Sequence, residues 1–595
     1  MSIVLSTAIT IAFIFLTPAL ALRPQMLGNP WTAITVPFCS VLILTLIIMP
    51  IVELQLLGHI AVTACLYAIG LVGLIRTALY IRHQWRISRD WHLDTVVALL
   101  LAFGFTIIIG GKLTLFGFDN NDEIYSWNKW AVDFYLNREI SFQFTKWPYP
   151  LLFPRLLNLE YILNGSLEAQ TAVKTALVVF PFCAMSAIAL GSAPQSRVRV
   201  IIVVLLLALI LFATNAKSIF DDGMSDTMAA SAIVVSSIML FERRRLGISD
   251  TGRYFLTAVI SCVAVLSKQP SLVWGMFTLP LLAIFPSLMG ARKSRELLLL
   301  LIPAVVAGTW WLTEGSGFHQ NEGPVARSME DRDFIQQVLN SARLLLTEYI
   351  AFSVLIAWML FSVVRNGRGS SLFVLFVLPS LAFWLLFANY DLRAGLPALL
   401  VTGLIISLND FGLKAESHSA SLERKAHSYK IPVAVCVILI LLSSIQVILD
   451  FRKVRKQYDG YQYGNIAMNN FFRIFGPDAA AIHQHIRTNN DVVLWTPSNY
   501  VYGLFYGYTE VHFPKYSEGW DMKALVNELR DSNATHATTS GRLAYGPGGE
   551  VLERLVSGPC KKAFHKLNST ENRYNVSIYS IDRKVLESKP CNHFQ

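Results

Sequence analysis

The sequence predicts a polytopic α-helical membrane protein with a C-terminal α/β domain outside the membrane. Hydrophobic residues make up 54 % of the 595 residues and charged residues only 15 %, whereas a soluble domain carries about 25 % charged residues. Apolar stretches of about 20 residues, enough to cross a bilayer core, recur until about residue 450. The polar character begins only after them. This pattern excludes a soluble multidomain protein, a disordered chain and a disulfide-dense secreted scaffold.

We divide the chain into N-terminal transmembrane helices (1–94), a transmembrane module (95–450) and a polar tail (451–595). The module includes a large external loop over 117–166. About fourteen apolar stretches are long enough to be candidate spans. They lie near 2–22, 33–52, 56–80, 95–116, 167–191, 198–214, 226–241, 254–268, 270–290, 296–313, 343–364, 372–388, 394–410 and 431–449.

The short basic connections predict the orientation, because Lys and Arg resist translocation. Alternating spans place five basic loops on one side: Arg82 to Arg89, Arg197 with Arg199, Arg243 to Arg245, Arg292 to Arg295, and Arg365 with Arg368. That side is then cytoplasmic, and the acidic loops and the tail are extracytoplasmic. The basic run from Arg452 to Lys456 falls outside, where long translocated domains escape the rule. The segment Ser2 to Leu22 is either the first span or a signal peptide.

The tail shows alternating short elements typical of an α/β domain. We expect helices at 478–486 and 521–529, the second capped by Asp521, and strands at 491–496 and 574–581. Cys560 and Cys591 are the two cysteines of the tail. They form either a disulfide or two free thiols, and an extracytoplasmic location favours the disulfide.

Two acidic clusters lie on the predicted outer side. Asp119, Asp122 and Glu123 open the large loop, and Asp222 and Asp226 precede a later span. Each cluster has two interpretations. The carboxylates either cap helices and favour their first turns, or they take a proton from an acceptor hydroxyl or hold a divalent cation.

Two isolated cations accompany the acidic clusters on that side. Lys268 ends an apolar run, and Arg393 occupies a polar break between two spans. Either residue alone is explained by snorkelling at a helix end, whereas together they resemble a phosphate clamp. Lys174 lies near a span end, where snorkelling is favoured over an ion pathway. Tyr506 belongs to a tyrosine run typical of an aromatic core or interface belt, or of a sugar-stacking surface.

The order of these motifs resembles the GT-C glycosyltransferases, in particular the protein O-mannosyltransferase and lipid A aminoarabinose transferase group. The resemblance covers roughly residues 95–590. It rests on Asp122-Glu123, the helix start from Gly223 to Thr227, Lys268, Arg393, and the tail segments Trp495 to Tyr500 and Ala534 to His536. This sequence departs from the family in one respect, since about four spans precede the acidic loop instead of one.

The resemblance implies inverting transfer of a sugar from a polyprenyl-phosphate carrier outside the cytoplasm. Asp122 would be the base, with Asp119 or Glu123 as substitutes. Asp226 and Asp222 would hold the acceptor or a divalent cation, Mg²⁺ or Mn²⁺. Lys268 and Arg393 would neutralise the departing lipid phosphate.

The resemblance also sets the expected partners and location. The partners would be the lipid-linked donor, membrane lipids and a glycan, lipid or protein acceptor, in a plasma or inner membrane. The net charge of +10 reflects basic cytoplasmic loops rather than a nucleic-acid partner. Two rivals remain: a transporter or flippase of lipid-linked sugars, and a receptor or assembly protein whose tail binds partners.

Overall fold

The structure is a computed structural model. It describes residues 3–84, 93–115, 118, 123–136, 150–192, 197–215, 225–241, 248–289, 294–313, 334–347, 349–367, 369–387, 392–410, 430–457, 485–486, 489, 491–497, 501, 505–506, 509–512, 521–539, 549–558, 560–569, 576–588 and 591.

Helices dominate the chain before the tail. The first ten are α1 (Ile3–Thr10), α2 (Thr17–Leu22), α3 (Pro30–Ala33), α4 (Val36–Glu53), α5 (His59–Gln84), α6 (Leu93–Leu113), α7 (Asn128–Tyr135), α8 (Leu152–Asn164), α9 (Gln170–Ala176) and α10 (Val179–Ser192). They are followed by α11 (Arg197–Asn215), α12 (Ser225–Phe241), α13 (Asp250–Val265), α14 (Leu279–Ile284), α15 (Ile302–Thr313), α16 (Phe334–Thr347), α17 (Ile350–Asn366), α18 (Ser370–Leu372), α19 (Leu378–Phe387), α20 (Leu392–Asp410) and α21 (Lys430–Gln457).

Short segments of other helix types connect these elements. The π-helical segments are Ile11–Leu16, Glu123–Trp127, Val273–Thr278 and Phe373–Val377. The 3₁₀ segments are Pro24–Gly28, Leu167–Ala169, Gln269–Ser271, Pro286–Met289 and Arg295–Leu301.

Among the described residues, six helices are long and apolar enough to cross a membrane. They are Ile3–Leu22, Pro30–Glu53, His59–His83, Thr95–Leu113, Leu167–Ser192 and Val433–Lys456. Each coincides with a predicted span. Shorter apolar helices occupy six further predicted positions: Arg199–Thr214, Ser225–Phe241, Val273–Ile284, Ile350–Asn366, Ser370–Leu385 and Arg393–Asn409. Within the described residues, six of the roughly fourteen predicted spans are therefore membrane-length helices.

The remaining two predicted spans are short or interrupted. The stretch at 254–268 overlaps α13, which has 16 residues and ends at Val265. The stretch at 296–313 is divided between the 3₁₀ segment Arg295–Leu301 and α15. Length is the physical reason at α12, since its 17 residues extend only about 26 Å at 1.5 Å per residue.

Two of the long helices expose apolar surface that would be unfavourable in contact with water. Only 22 % of the most apolar window of α5, and 11 % of that of α21, is buried by other parts of the protein. Leu71, Leu79 and Leu441 are each more than half exposed. Contiguous exposed apolar surface of this kind marks contact with a membrane or a partner. Together with the helix lengths, it supports a membrane-embedded protein.

Helix α12 lies at the centre of the bundle. It is buried from Ser225 to Leu240 and packs against α10, α13 and α20. The hydroxyls of Ser236 and Ser237 donate to the carbonyl of Ile233 in their own helix. This bonding within the helix satisfies polar groups that have no access to water.

Helices α6 and α21 approach each other closely through glycine. A Cβ at Gly104 would lie 2.9 Å from the side chain of Leu439, and a Cβ at Gly111 would overlap Val447. Small residues permit this close packing between apolar helices. The contact joins the last long helix to the N-terminal half of the bundle.

The tail contains a five-stranded mixed sheet in the order β2-β1-β3-β5-β4. The strands are β1 (Val493–Trp495), β2 (Glu510–His512), β3 (His536–Thr538), β4 (Phe564–Ser569) and β5 (Ser577–Ile581). Strand β1 pairs in parallel with β2 and β3, whereas β5 pairs antiparallel with β3 and β4. Helices α22 (Met522–Asp531), α23 (Gly549–Ser557) and α24 (Arg583–Leu586) and the 3₁₀ segment Lys561–Ala563 accompany the sheet.

The α/β character predicted for the tail is confirmed at three elements. The strands at 491–496 and 574–581 contain β1 and β5, and the helix at 521–529 is α22. Asp521 caps α22 by accepting a hydrogen bond from the Ala524 amide. Of the helix at 478–486, the structure describes only His485 and Ile486, which are helical. The core between sheet and helices includes Trp495, Leu525, Leu529, Leu552, Phe564 and Ile581.

Cys560 and Cys591 are buried and joined in a disulfide. The bond closes a loop with a sequence separation of 31, for which chain entropy gives a stabilisation of about 3 to 4 kcal/mol.

We expect Cys560→Ser/Cys591→Ser to lower the free energy of unfolding of the tail by this amount, and so to lower its urea midpoint. The measurement is urea-dependent proteolysis of the tail in the full chain, with Cys65→Ser in α5 as the control. Equal midpoints would contradict the prediction.

Candidate active site

One end of the helix bundle is covered by the segment Glu123–Trp127 together with α7 and α8. The guanidinium of Arg155 in α8 pairs with Glu53 at the end of α4, at 2.6 Å. The ring of Tyr135 in α7 lies 4.7 Å from that of His59, at the start of α5. We call this the loop end of the bundle. Arg82, near the other terminus of α5, lies at the opposite end, as alternating spans require.

Asp226 and Lys268 meet at the loop end. Asp226 is the second residue of α12, and Lys268 follows α13. The ammonium nitrogen lies 3.1 Å from Oδ2 of Asp226, with side-chain exposures of 19 % and 5 %. The geometry is that of an ion pair rather than a hydrogen bond. Because Lys268 retains some exposure, its charge can still interact with an approaching anion.

Trp127 forms the second contact of Lys268. The ammonium nitrogen lies 5.1 Å from the centre of the Trp127 ring, within cation–π distance. Trp127 is buried and packs edge-on against Trp130 and Phe153. The aromatic cluster therefore fixes the segment that begins with Glu123 beside the Asp226–Lys268 pair.

Glu123 forms a buried ion pair. Its Oε2 lies 3.2 Å from the ammonium of Lys174 in α9, and neither side chain has more than 3 % exposure. The sequence favoured snorkelling for Lys174, and this was wrong, because the residue points into the protein and neutralises Glu123. A carboxylate engaged in this way is a poor candidate for the base.

A second buried ion pair joins the tail to the loop end. Lys129 and Asp133, both in α7, are 2.8 Å apart and have no exposed side-chain surface. The Tyr506 hydroxyl donates to Oδ1 of Asp133, and the Lys129 ammonium lies 4.8 Å from the Tyr506 ring. Tyr506 thus packs against the helix bundle, in agreement with the core interpretation of the tyrosine run.

Arg393 also lies at the loop end, as the direction of α20 shows. The Ser407 hydroxyl donates to the Ile188 carbonyl of α10 at 2.5 Å. A Cβ at Gly403 would touch Ile188, and one at Gly191 would touch Ser407 and Leu408. In these contacts, later residues of α20 meet later residues of α10. The two helices therefore run in parallel. The half-buried Arg393, next to the first residue of α20, therefore lies where α9 and α10 begin.

The other predicted carboxylates, Asp119, Asp122 and Asp222, lie outside the described residues. Within the described ranges, no group of three His, Cys, Asp or Glu side chains converges as a metal site. Asp226 is engaged by Lys268, whose positive charge opposes a cation at that carboxylate. Asp222, the second carboxylate expected at a cation site, lies outside the described residues, and no catalytic step below depends on a cation.

Sequence reasoning missed several polar groups at this end of the bundle. Lys129 and Asp133 have the i, i+4 spacing of a helical ion pair, which is a usable signal. Glu160 in α8 gives no such signal. It is fully buried and neither carboxyl oxygen has a hydrogen-bond partner. Burial raises the pKa of this carboxyl well above its usual range, which favours its uncharged form.

Comparison with known proteins does not assign the chain to a family. No protein-family model matches the sequence, and no curated protein is significantly similar to it.

Proposed function

We propose that the protein is an integral membrane glycosyltransferase of GT-C type that takes a sugar from a polyprenyl-phosphate donor. The observation that carries this proposal is the Asp226–Lys268 pair, held 3.1 Å apart against Trp127 at the loop end. A partly exposed ammonium at a membrane-protein surface suits the phosphate of a lipid carrier. The full architecture of about fourteen spans belongs to the same proposal.

Lys268 and Arg393 stabilise the negative charge of the leaving phosphate. As the bond between the anomeric carbon and the phosphate oxygen breaks, the electron pair stays on that oxygen and its negative charge increases. Lys268 releases part of its interaction with Asp226 and binds the phosphate. Fixed cations at a site of developing charge stabilise the transition state, which is usually the largest contribution to catalysis.

The acceptor requires a base on the opposite side of the anomeric carbon. Asp122 is the proposed base and Asp119 its substitute, since Glu123 is engaged with Lys174. The acceptor oxygen forms the new bond to the anomeric carbon while its proton passes to the carboxylate. Attack opposite the leaving phosphate inverts the configuration. Asp226, once Lys268 has turned to the phosphate, can accept a hydrogen bond from the acceptor.

The tail provides a supporting argument for the location. Disulfides persist in oxidising compartments and are rare in the cytosol. The Cys560–Cys591 bond therefore favours an extracytoplasmic tail, and the Tyr506 contact with Asp133 of α7 supports the same side for the loop end. We propose a plasma or inner membrane as the location, and a glycan, lipid or protein of the envelope as the acceptor.

The proposal is tested in cells by comparing envelope glycans and lipid-linked sugars. The strains carry the wild type, a deletion, Asp122→Asn or Arg393→Ala at matched membrane levels. We expect both variants to lose one sugar and to accumulate its lipid-linked donor outside, as the deletion does. Lys523→Gln, which removes an exposed tail lysine of α22, is the control and should leave the glycans unchanged.

The other outcomes decide between the rivals. Wild-type glycans in both variants would contradict the assigned site. Donor trapped on the cytoplasmic side of the deletion strain would favour the flippase. Unchanged glycans and lipid-linked sugars in the deletion would favour a receptor or assembly protein.

A further inference from the structure

The tail contains a histidine pair that the proposed transferase reaction does not use. Nε2 of His485 lies 3.2 Å from Nε2 of His536, and the ring centres are 5.2 Å apart. His536 is the first residue of β3, an inner strand of the sheet. His485 belongs to a helical turn that precedes β1. The pair is therefore fixed by the packing of one element on the sheet.

The hydrogen bonds of Thr535 favour the tautomer of His536 that carries its proton on Nδ1. Its Oγ1 accepts from the Val493 amide at 2.8 Å and lies 2.9 Å from Nδ1 of His536. The hydroxyl also has the Asp491 carbonyl as an acceptor at 3.2 Å. A hydroxyl donates one hydrogen bond and accepts two. All these groups are satisfied when Oγ1 donates to Asp491 and accepts from Nδ1–H, which leaves a lone pair on Nε2 of His536.

The separation of the two Nε2 atoms matches that of two imidazoles on one metal ion. Zinc binds imidazole nitrogen at about 2.0 to 2.1 Å in tetrahedral geometry, so two such ligands lie about 3.3 Å apart. We propose that His485 and His536 form a two-histidine site for a borderline divalent metal ion such as Zn²⁺. In the metal-free pair, His485 donates its Nε2 proton to His536. Metal binding requires that this proton move to Nδ1 of His485 and that the two rings tilt so that both Nε2 lone pairs point at the metal.

The hydrogen bond within the pair suits metal binding. A metal-bound imidazole must be neutral, and with the two Nε2 atoms 3.2 Å apart one of them must be an unprotonated acceptor. Thr535 acts as the hydrogen-bond partner that orients the ligand, a role that metal-bound histidines commonly require.

The ligand set also limits the class of metal. Imidazole suits zinc, copper and nickel, whereas magnesium and calcium prefer oxygen. The two histidines supply two of the four positions of a tetrahedral zinc ion.

The test is a Zn²⁺ titration of the full chain in detergent, stripped of metal and purified without a histidine tag. We expect His485→Gln and His536→Gln each to weaken binding at this site at least tenfold. His565→Gln is the matched control, because His565 lies in neighbouring β4 and is exposed. It should bind Zn²⁺ as the wild type does.

A second measurement covers the case in which a variant does not fold. Zn²⁺ should protect His485 and His536 of the wild-type protein from acylation by diethylpyrocarbonate and should leave His565 reactive. Equal binding by all three variants, or acylation of the pair that Zn²⁺ does not slow, would overturn the proposal. The pair would then be a hydrogen bond between two histidines.

Discussion

Replacing Lys174 with methionine is expected to destabilise the protein by about 3 to 5 kcal/mol. The change leaves the carboxylate of Glu123 fully buried, with its 3.2 Å ion-pair partner removed. Breaking a buried pair is costly because the remaining charge is not compensated. The measurement is the thermal unfolding midpoint of the full chain in detergent, together with the yield of monodisperse protein.

Two variants separate charge from packing. Glu123→Gln/Lys174→Met removes both charges and should recover much of the stability, since an apolar or neutral replacement of a buried pair is often tolerated. Glu53→Gln breaks the Arg155–Glu53 pair, whose side chains are 30 % and 29 % exposed, and should cost at most about 1 kcal/mol. If Lys174→Met and Glu53→Gln had equal effects, burial of the Glu123 pair would have no energetic consequence.

Replacing Lys268 with glutamine is expected to lower kcat for sugar transfer about 100- to 1000-fold. This is the range found when one stabilising group is removed from a site of developing negative charge. The effect should fall on kcat more than on KM, because the phosphate charge increases as the bond breaks. The measurement is transfer from lipid-linked donor by purified protein, once cellular analysis has identified the sugar.

The neighbours of Lys268 provide the controls. Lys268→Arg keeps the charge and should retain more activity than Lys268→Gln, although its larger planar group fits differently against Asp226 and Trp127. Trp127→Phe keeps a ring under the ammonium, so we expect a smaller loss than for Lys268→Gln. If Lys268→Gln changed only the thermal midpoint and not kcat, Lys268 would have a structural role.

The sequence was sufficient for features that depend on local pattern. Long apolar runs predicted α4, α5 and α6, because length and hydropathy alone determine whether a helix can cross a bilayer. The shorter apolar helices were harder to predict. Val273–Ile284 lies between Pro270 and Pro286, and proline restricts helix continuation. In the tail, the Asp521 cap and the alternation of β5 were visible for the same local reason.

The partners of the charged groups could not be read from the sequence. Asp226 and Lys268, or Glu123 and Lys174, are brought together by which helix ends meet, and this depends on packing across the bundle. The sequence predicted that Asp226, Lys268 and Arg393 lie on one side of the membrane, because each lies at a span end that alternating spans assign to that side. It did not indicate that Glu123 would be used to neutralise Lys174, or that Tyr506 would reach Asp133.

The burial of α12 has a consequence for the order of events during biosynthesis. This helix emerges from the ribosome well before α20, one of the neighbours that enclose it. Until α20 follows, one face of α12 has no partner within the chain. Its hydroxyls at Ser236 and Ser237 already bond to their own backbone, which reduces the polar surface that the helix presents to lipid. The centre of the bundle is therefore completed late in synthesis, when α20 packs against α12, which was made earlier.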